Sequence, residues 1–102
     1  MYSMNQKIKA KFSKTGDMRF ISHLDLVRLF QRASRRAALP VTITKGYNPH
    51  LKISITRALR LGVESSGEEI VFNMDKEMKG DVFLRTINEK LPTGIEVLKI
   101  EG

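Results

Sequence analysis

The chain of 102 residues contains no cysteine. This absence excludes disulfides, a thiolate nucleophile, a zinc site built on cysteine, and an iron–sulfur cluster ligated by this chain. Only two histidines are present, His23 and His50, so a transition-metal site would need carboxylate ligands as well. We therefore expect this chain to hold no metal and no cofactor.

Long hydrophobic runs are also missing. No apolar stretch approaches the ~20 residues that a membrane helix needs, and the N-terminal MYSMNQKIKAK lacks the hydrophobic segment of a signal peptide. We expect a cytoplasmic protein. The length and a hydrophobic fraction of 41% predict one folded domain spanning residues 1–102.

Acidic residues are outnumbered. Eighteen lysines and arginines face eleven aspartates and glutamates, which gives a formal net charge of +7 and a pI near 10.0. Such an excess favours polyanionic partners, namely nucleic acid or an acidic protein surface. It also suits solubility alone, so charge by itself does not identify a partner.

Hydrophobic periodicity predicts two β-α-β units. Strands are expected at residues 7–13, 41–44, 51–55, 68–74 and 95–100, a short extended piece at 18–21, and a turn at 64–67. A first helix runs from Ser22 to the residue before Pro40, and a second, capped by Asp81, over residues 81–91. We predict an α+β, ferredoxin-like βαββαβ sandwich. It would have an antiparallel sheet, two helices on one face, and an extra hairpin or loop around residues 45–67.

The first helix carries arginines on one side. Leu26, Phe30 and Ala33 share its apolar face. The opposite side carries Arg28, Arg32, Arg35 and Arg36. A guanidinium group can donate two hydrogen bonds at once to phosphate oxygens, so this side is suited to a nucleic-acid backbone. The alternative is an ordinary solvated helix face.

The segment between residues 44 and 54 contains more aromatic and polar side chains than a chain reversal needs. Gly46, Asn48 and Pro49 favour a turn. Tyr47 and His50 can stack on a base, and Lys45 and Lys52 flank them. Aromatic rings among cations are typical of single-stranded nucleic-acid sites. The alternative is that Tyr47 packs on the core and His50 caps a turn.

The two histidines allow an enzymatic alternative. His23 stands at the first helical position, where the helix dipole favours a neutral imidazole. Together, His23 and His50 would supply a base and an acid for metal-independent RNA cleavage. Structural roles for both rings are the simpler interpretation.

Three runs together resemble one known family: FSKTGDMRFISHLDLVRLFQRASRRAALPV, KGYNPHLKIS and LGVESSGE. They are similar to the radical-SAM-linked protein family, a domain of unknown function encoded beside, or fused to, a radical S-adenosylmethionine (SAM) protein. Members are usually about twice as long, so the chain resembles their N-terminal half. The resemblance implies a bacterial cytosolic protein that works with a radical SAM enzyme. It emphasises Gly16, Arg19, Ser22, His23, Asp25, Gly46, Asn48, Pro49 and His50 without assigning them roles.

We predict a noncatalytic substrate-binding or adaptor module for a radical SAM enzyme, binding RNA or another polyanion. The predicted contact residues are Arg19, Arg28, Arg32, Arg35, Arg36, Lys45, Tyr47, Asn48, His50 and Lys52. The alternatives are the ribonuclease built on His23 and His50 and a protein–protein interaction domain.

Overall fold

The computed structural model describes residues 6–57 and 61–101. The strands are β1 (Gln6–Lys14), β2 (Ile53–Ile55), β3 (Ser65–Met74) and β4 (Ile95–Glu101). A 3-10 helix (Gly16–Phe20) and helix α1 (His23–Arg36) follow β1, and helix α2 (Gly80–Asn88) connects β3 to β4. The chain is therefore a mixed α+β protein, as its periodicity predicts.

The four strands form one open antiparallel sheet in the order β2-β3-β1-β4. Side chains alternate between its faces. In β1 the buried apolar residues are Ile8, Ala10 and Phe12, with lysines at the positions between them. In β3 the buried apolar residues are Ile70, Phe72 and Met74. One face of the sheet is thus the core, and the other is polar.

Both helices pack on the apolar face. The Phe72 ring of β3 lies 6.2 Å from that of Phe30 in α1 and 4.9 Å from that of Phe83 in α2, both edge-on. The Phe12 ring of β1 lies 5.1 Å from Phe30. All four rings are fully buried, and each such pair contributes about 0.5–1.5 kcal/mol beyond its buried area. This row of rings holds the helices side by side.

The ends of α1 follow from local hydrogen bonding. The hydroxyl of Ser22 accepts from the N–H of Asp25 at 3.1 Å, which confirms Ser22 as the capping residue. At the other end Ala38 takes a positive φ of 55°, and the Leu39 N–H donates to the Ser34 carbonyl. This C-terminal cap ends the helix at Arg36, before the predicted limit at Pro40.

The strand predicted at residues 41–44 is wrong. Those residues form only two isolated bridges, Val41 with Met74 and Ile43 with Leu51, and the edge strand β2 lies later in the chain. Branched side chains favour a strand, but here tertiary pairing to residue 51 closes a loop instead. The extra hairpin predicted around residues 45–67 therefore contains β2 itself. Residues 58–60 of that segment lie outside the described residues.

Three local predictions also differ from the structure. Residues 18–20 belong to the 3-10 helix rather than to an extended piece. Residues 65–67 begin β3 instead of forming a turn. Asp81 does not cap α2, because the helix begins at Gly80 after Lys79, with no side-chain hydrogen bond at that cap. Asp81 lies inside the first turn, where a carboxylate favours the helix dipole without capping it.

Neither described helix could span a bilayer, since α1 has 14 residues and α2 has 9.

Candidate functional site

The arginine-bearing side of α1 borders an open groove of about 440 Å³, here called the arginine groove. Its lining residues are Val27, Arg28, Gln31, Arg32, Arg35 and His50. The arginines recur every three or four residues and are exposed, so they form one stripe along the helix. The structure therefore brings three predicted arginines together with His50 from a separate segment.

Gln31 fastens that segment to the helix. Its side-chain Nε2 donates to the Leu51 carbonyl at 2.7 Å, and its Oε1 accepts from the Leu51 N–H at 3.0 Å. Both residues are buried, and leaving a buried peptide group unpaired costs about 1–3 kcal/mol. Since His50 precedes Leu51, this clamp sets where the imidazole lies beside the arginines.

The loop that carries His50 closes on itself. The N–H of Thr44 donates to the His50 carbonyl at 2.8 Å, and the His50 N–H donates to Thr44 Oγ1 at 3.1 Å. The bridge between Ile43 and Leu51 continues this pairing. Gly46 takes a φ of +127° at the far end, a conformation that L side chains rarely adopt. The loop is thus a closed turn anchored at its base.

The His50 imidazole has one nitrogen engaged within the loop. Its Nδ1 lies 2.9 Å from the carbonyl oxygen of Asn48 and 3.3 Å from Thr44 Oγ1. A carbonyl only accepts, so Nδ1 carries the hydrogen in this arrangement. Nε2 then accepts from a ligand when the ring is neutral and donates when the ring is protonated. The prediction that His50 stabilises a turn and the prediction that it faces a ligand are compatible.

The positive charge of the groove is only partly offset. Arg28 Nη1 lies 3.7 Å from Asp25 Oδ1, but both side chains are largely exposed, at 65% and 62%. Such surface pairs contribute about 0–1 kcal/mol. Within residues 6–57 and 61–101, no carboxylate oxygen lies within 4.0 Å of a cationic nitrogen of Arg32 or Arg35. These two guanidiniums are free to meet an anionic ligand.

Two predicted arginines stand elsewhere. Arg36 lines a separate groove of about 490 Å³, which it shares with Arg32, Glu89 and Lys90. Arg19 stacks its guanidinium 4.2 Å from the centre of the Phe20 ring and donates to the Gly16 carbonyl at 2.8 Å. These contacts stabilise the 3-10 helix, and neither residue lines the arginine groove.

Of the remaining predicted contact residues, three lie in the loop and one lies on the other side of the sheet. Lys45, Tyr47 and Asn48 lie in the exposed part of the loop and do not line the arginine groove. Tyr47 is fully exposed, so the alternative in which it packs on the core is wrong. Lys52 lines a third groove, here called the lysine groove, with Gln6, Lys7, Thr42 and Asn73.

His23 is not among the residues that line the arginine groove. Its Nδ1 is buried and has no hydrogen-bond partner among the described residues. The structure therefore places only one of the two histidines of the ribonuclease alternative at this groove.

Sequence reasoning missed Val27 and Gln31. Both lie at the edge of the apolar stripe of α1, and Gln31 is the only groove residue that is buried. An amide next to Phe30, on the inward side of an amphipathic helix, is a signal for a buried hydrogen bond. Its partner was not predictable, because Leu51 lies twenty residues away.

Among the described residues, no three histidine, aspartate or glutamate side chains come together as a metal site.

A family model described as "Uncharacterized protein conserved in bacteria (DUF2344)" matches residues 7–102. No curated protein and no solved structure matched the chain.

Proposed function

The chain belongs to this bacterial family, and we propose that it is a noncatalytic module that binds single-stranded RNA on behalf of a radical SAM enzyme. In this proposal Arg28, Arg32 and Arg35 hold phosphates, while His50 and the exposed Tyr47 contact bases.

One observation carries the proposal: groups from two distant segments line one groove. His50 is held against the α1 arginines by the hydrogen bonds between Gln31 and Leu51. A merely solvated helix face needs no such partner. Guanidinium groups suit phosphate oxygens, and an exposed ring suits base stacking, which together favour a single strand over a duplex.

The proposal also includes the fold class. The strand order β2-β3-β1-β4 and the helices inserted after β1 and β3 favour the ferredoxin-like sandwich predicted from the sequence. A fold of this class hosts many activities, so the proposal depends on the groove rather than on the fold.

The test is the binding of a fluorescent single-stranded RNA across a salt series. We expect an Arg32→Glu/Arg35→Glu variant to bind at least about tenfold more weakly than the unmodified chain. Each single-strand phosphate contact contributes roughly 0.7 to the salt slope. The loss of two contacts should therefore flatten that slope by about 1.4.

A matched control reverses Lys79, which directly precedes α2, and Arg85 within it; this variant, Lys79→Glu/Arg85→Glu, is here called the α2 control. Both double variants remove four units of charge, because each reversal removes two. The α2 control lies on the helix that packs against β4, at the opposite edge of the sheet from β2. Equal weakening in both variants would mean that net charge alone binds RNA, and the proposal would be wrong.

The same mixtures test the ribonuclease alternative. We expect the RNA to remain intact after long incubation without metal. Cleavage that disappears in a His50→Ala variant would replace our proposal with the enzymatic one.

The radical SAM partner comes from the resemblance of the sequence to the radical-SAM-linked family. Purification of the tagged chain from bacterial cells should recover a radical SAM protein together with RNA. Recovery of RNA without that protein would remove the partner from the proposal and leave the binding function.

A protein-interaction domain is the second candidate, favoured by apolar side chains around Gly62. Phe20 is 58% exposed, and its ring lies beside Gly62, whose neighbours Leu61 and Val63 are 62% and 50% exposed. A Phe20→Ser variant should lose a protein partner and keep RNA affinity if this surface binds protein.

A further inference from the structure

A second basic site lies on the helix-free side of the sheet. The lysine groove, of about 320 Å³, lies between Lys7 and Lys52, with Asn73 between them. The three residues lie side by side on adjacent segments of the sheet. The Asn73 N–H donates to the Lys52 carbonyl at 3.0 Å, and Asn73 pairs with Lys7. Two strand spacings separate the lysine backbones by roughly 10 Å.

The lysine groove differs from the middle of the polar face, where acidic side chains pair with the lysines. Further along the sheet, Glu69 Oε2 lies 3.8 Å from Lys9 Nζ and 3.4 Å from Lys11 Nζ. Desolvation raises the pKa of Glu69, but Lys9 and Lys11 outweigh it and hold that pKa below its usual value. Glu101 contacts Lys11 as well, at 3.8 Å. Glu69 and Glu101 are thus paired with Lys9 and Lys11, in the middle of this face.

Lys7 and Lys52 have no such acid. Within the described part of the chain, neither ammonium group lies within 4.0 Å of a carboxylate oxygen. Asp75 is not among the residues that line the groove; its Oδ1 accepts from the Thr42 hydroxyl at 2.7 Å, which leaves the carboxylate charged. Asn73 donates one amide hydrogen to the Lys52 carbonyl at 3.3 Å and keeps the other. The groove therefore offers two cations and an amide donor to an anion.

The two grooves meet at one short segment of chain. His50 lines the arginine groove, Leu51 is clamped to α1, and Lys52 lines the lysine groove on the other side. This segment runs directly into β2, the edge strand of the sheet. A flexible polyanion leaving the arginine groove thus needs only to pass around that edge to reach the second one.

We propose that the lysine groove is a second phosphate subsite, so that a single-stranded RNA passes from the arginine groove around the β2 edge to Lys7 and Lys52. This inference rests on the proposed RNA-binding function and extends it. It makes the preferred ligand a strand long enough to reach both sides of the sheet, rather than a lone nucleotide or a duplex.

The test compares fluorescent oligouridylates of about 4 and about 12 nucleotides, lengths that bracket common single-strand site sizes. We expect Lys7→Glu/Lys52→Glu to weaken binding of the long strand at least about fivefold and to leave the short strand within about twofold. Both lysines are exposed, so the variant should keep its melting temperature. The α2 control should bind the long strand more tightly than this variant does, and the two variants should bind the short strand about equally.

Failure of the inference is distinguishable from failure of the proposed function. Unchanged binding of the long strand, or equal weakening of both lengths, would overturn the second subsite. Arg32→Glu/Arg35→Glu should weaken the short strand in either case. If that variant binds the short strand normally, the proposed function itself is wrong.

Discussion

Replacing Gln31 by leucine removes both hydrogen bonds that hold Leu51 to α1, while nearly keeping the volume of the side chain. The buried N–H of Leu51 then loses its partner, whereas the Leu51 C=O keeps the hydrogen bond that it accepts from the Ile53 N–H at 2.9 Å. Each lost bond costs about 1 kcal/mol net, and each orphaned group about 1–3 kcal/mol when water cannot reach it. The site lies beside an open groove that admits water, so we expect a total loss of about 2–4 kcal/mol.

That loss should be visible in both stability and binding. For a domain of this size, it lowers the melting temperature by roughly 10–25 °C. Because His50 is no longer held beside the arginines, RNA affinity should fall about fivefold, measured well below the melting temperature, where the variant is folded.

The chain contains a matched control for this variant. Asn88 makes the same pair of bonds between α2 and β4: its Nδ2 donates to the Val97 carbonyl at 2.9 Å, and its Oδ1 accepts from the Val97 N–H at 2.8 Å. Asn88→Leu should destabilise the fold by a similar amount and leave RNA affinity unchanged. If both variants weaken binding equally, the Gln31 clamp has no role at the site, and our reasoning is refuted.

Two further predictions concern single residues. Tyr47→Ala should keep the melting temperature, because the ring is fully exposed. It should weaken RNA binding by about 1–3 kcal/mol if a base stacks on the ring, whereas Tyr47→Phe should bind normally. Unchanged binding in Tyr47→Ala would exclude stacking there. Gly94→Ala should destabilise the fold by at least about 2 kcal/mol, because φ is +101° and a Cβ would lie 2.7 Å from the Thr15 carbonyl oxygen. Gly67→Ala, where nothing lies within 4 Å, is its control in urea denaturation, and similar midpoints for the two variants would contradict the steric argument.

The elements with strong periodicity were predictable from the sequence. The cap at Ser22, the buried stripe of α1 and the alternation of β1 all depend on residues within a few positions of one another. The predictions failed at short segments whose conformation depends on partners far away in the sequence. Residues 41–44 have strand-forming side chains, yet their pairing with Leu51 and Met74 makes them the base of a loop.

The same distinction applies to the site. The arginines of α1 and the ring-bearing loop were each visible as local patterns, but their meeting depends on Gln31 reaching Leu51. Lys52 was assigned to the same surface as His50, and the structure places these residues in different grooves. Sequence spacing alone does not show on which side of an irregular segment a side chain lies.

The most direct test of the account is a titration of isotope-labelled protein with single-stranded RNA, followed by amide chemical shifts. We predict that residues 27–35 of α1 and residues 45–51 of the loop shift together, with the same RNA dependence. Shifts confined to α2 and β4, or to only one of the two predicted segments, would contradict the claim that they form a single binding surface.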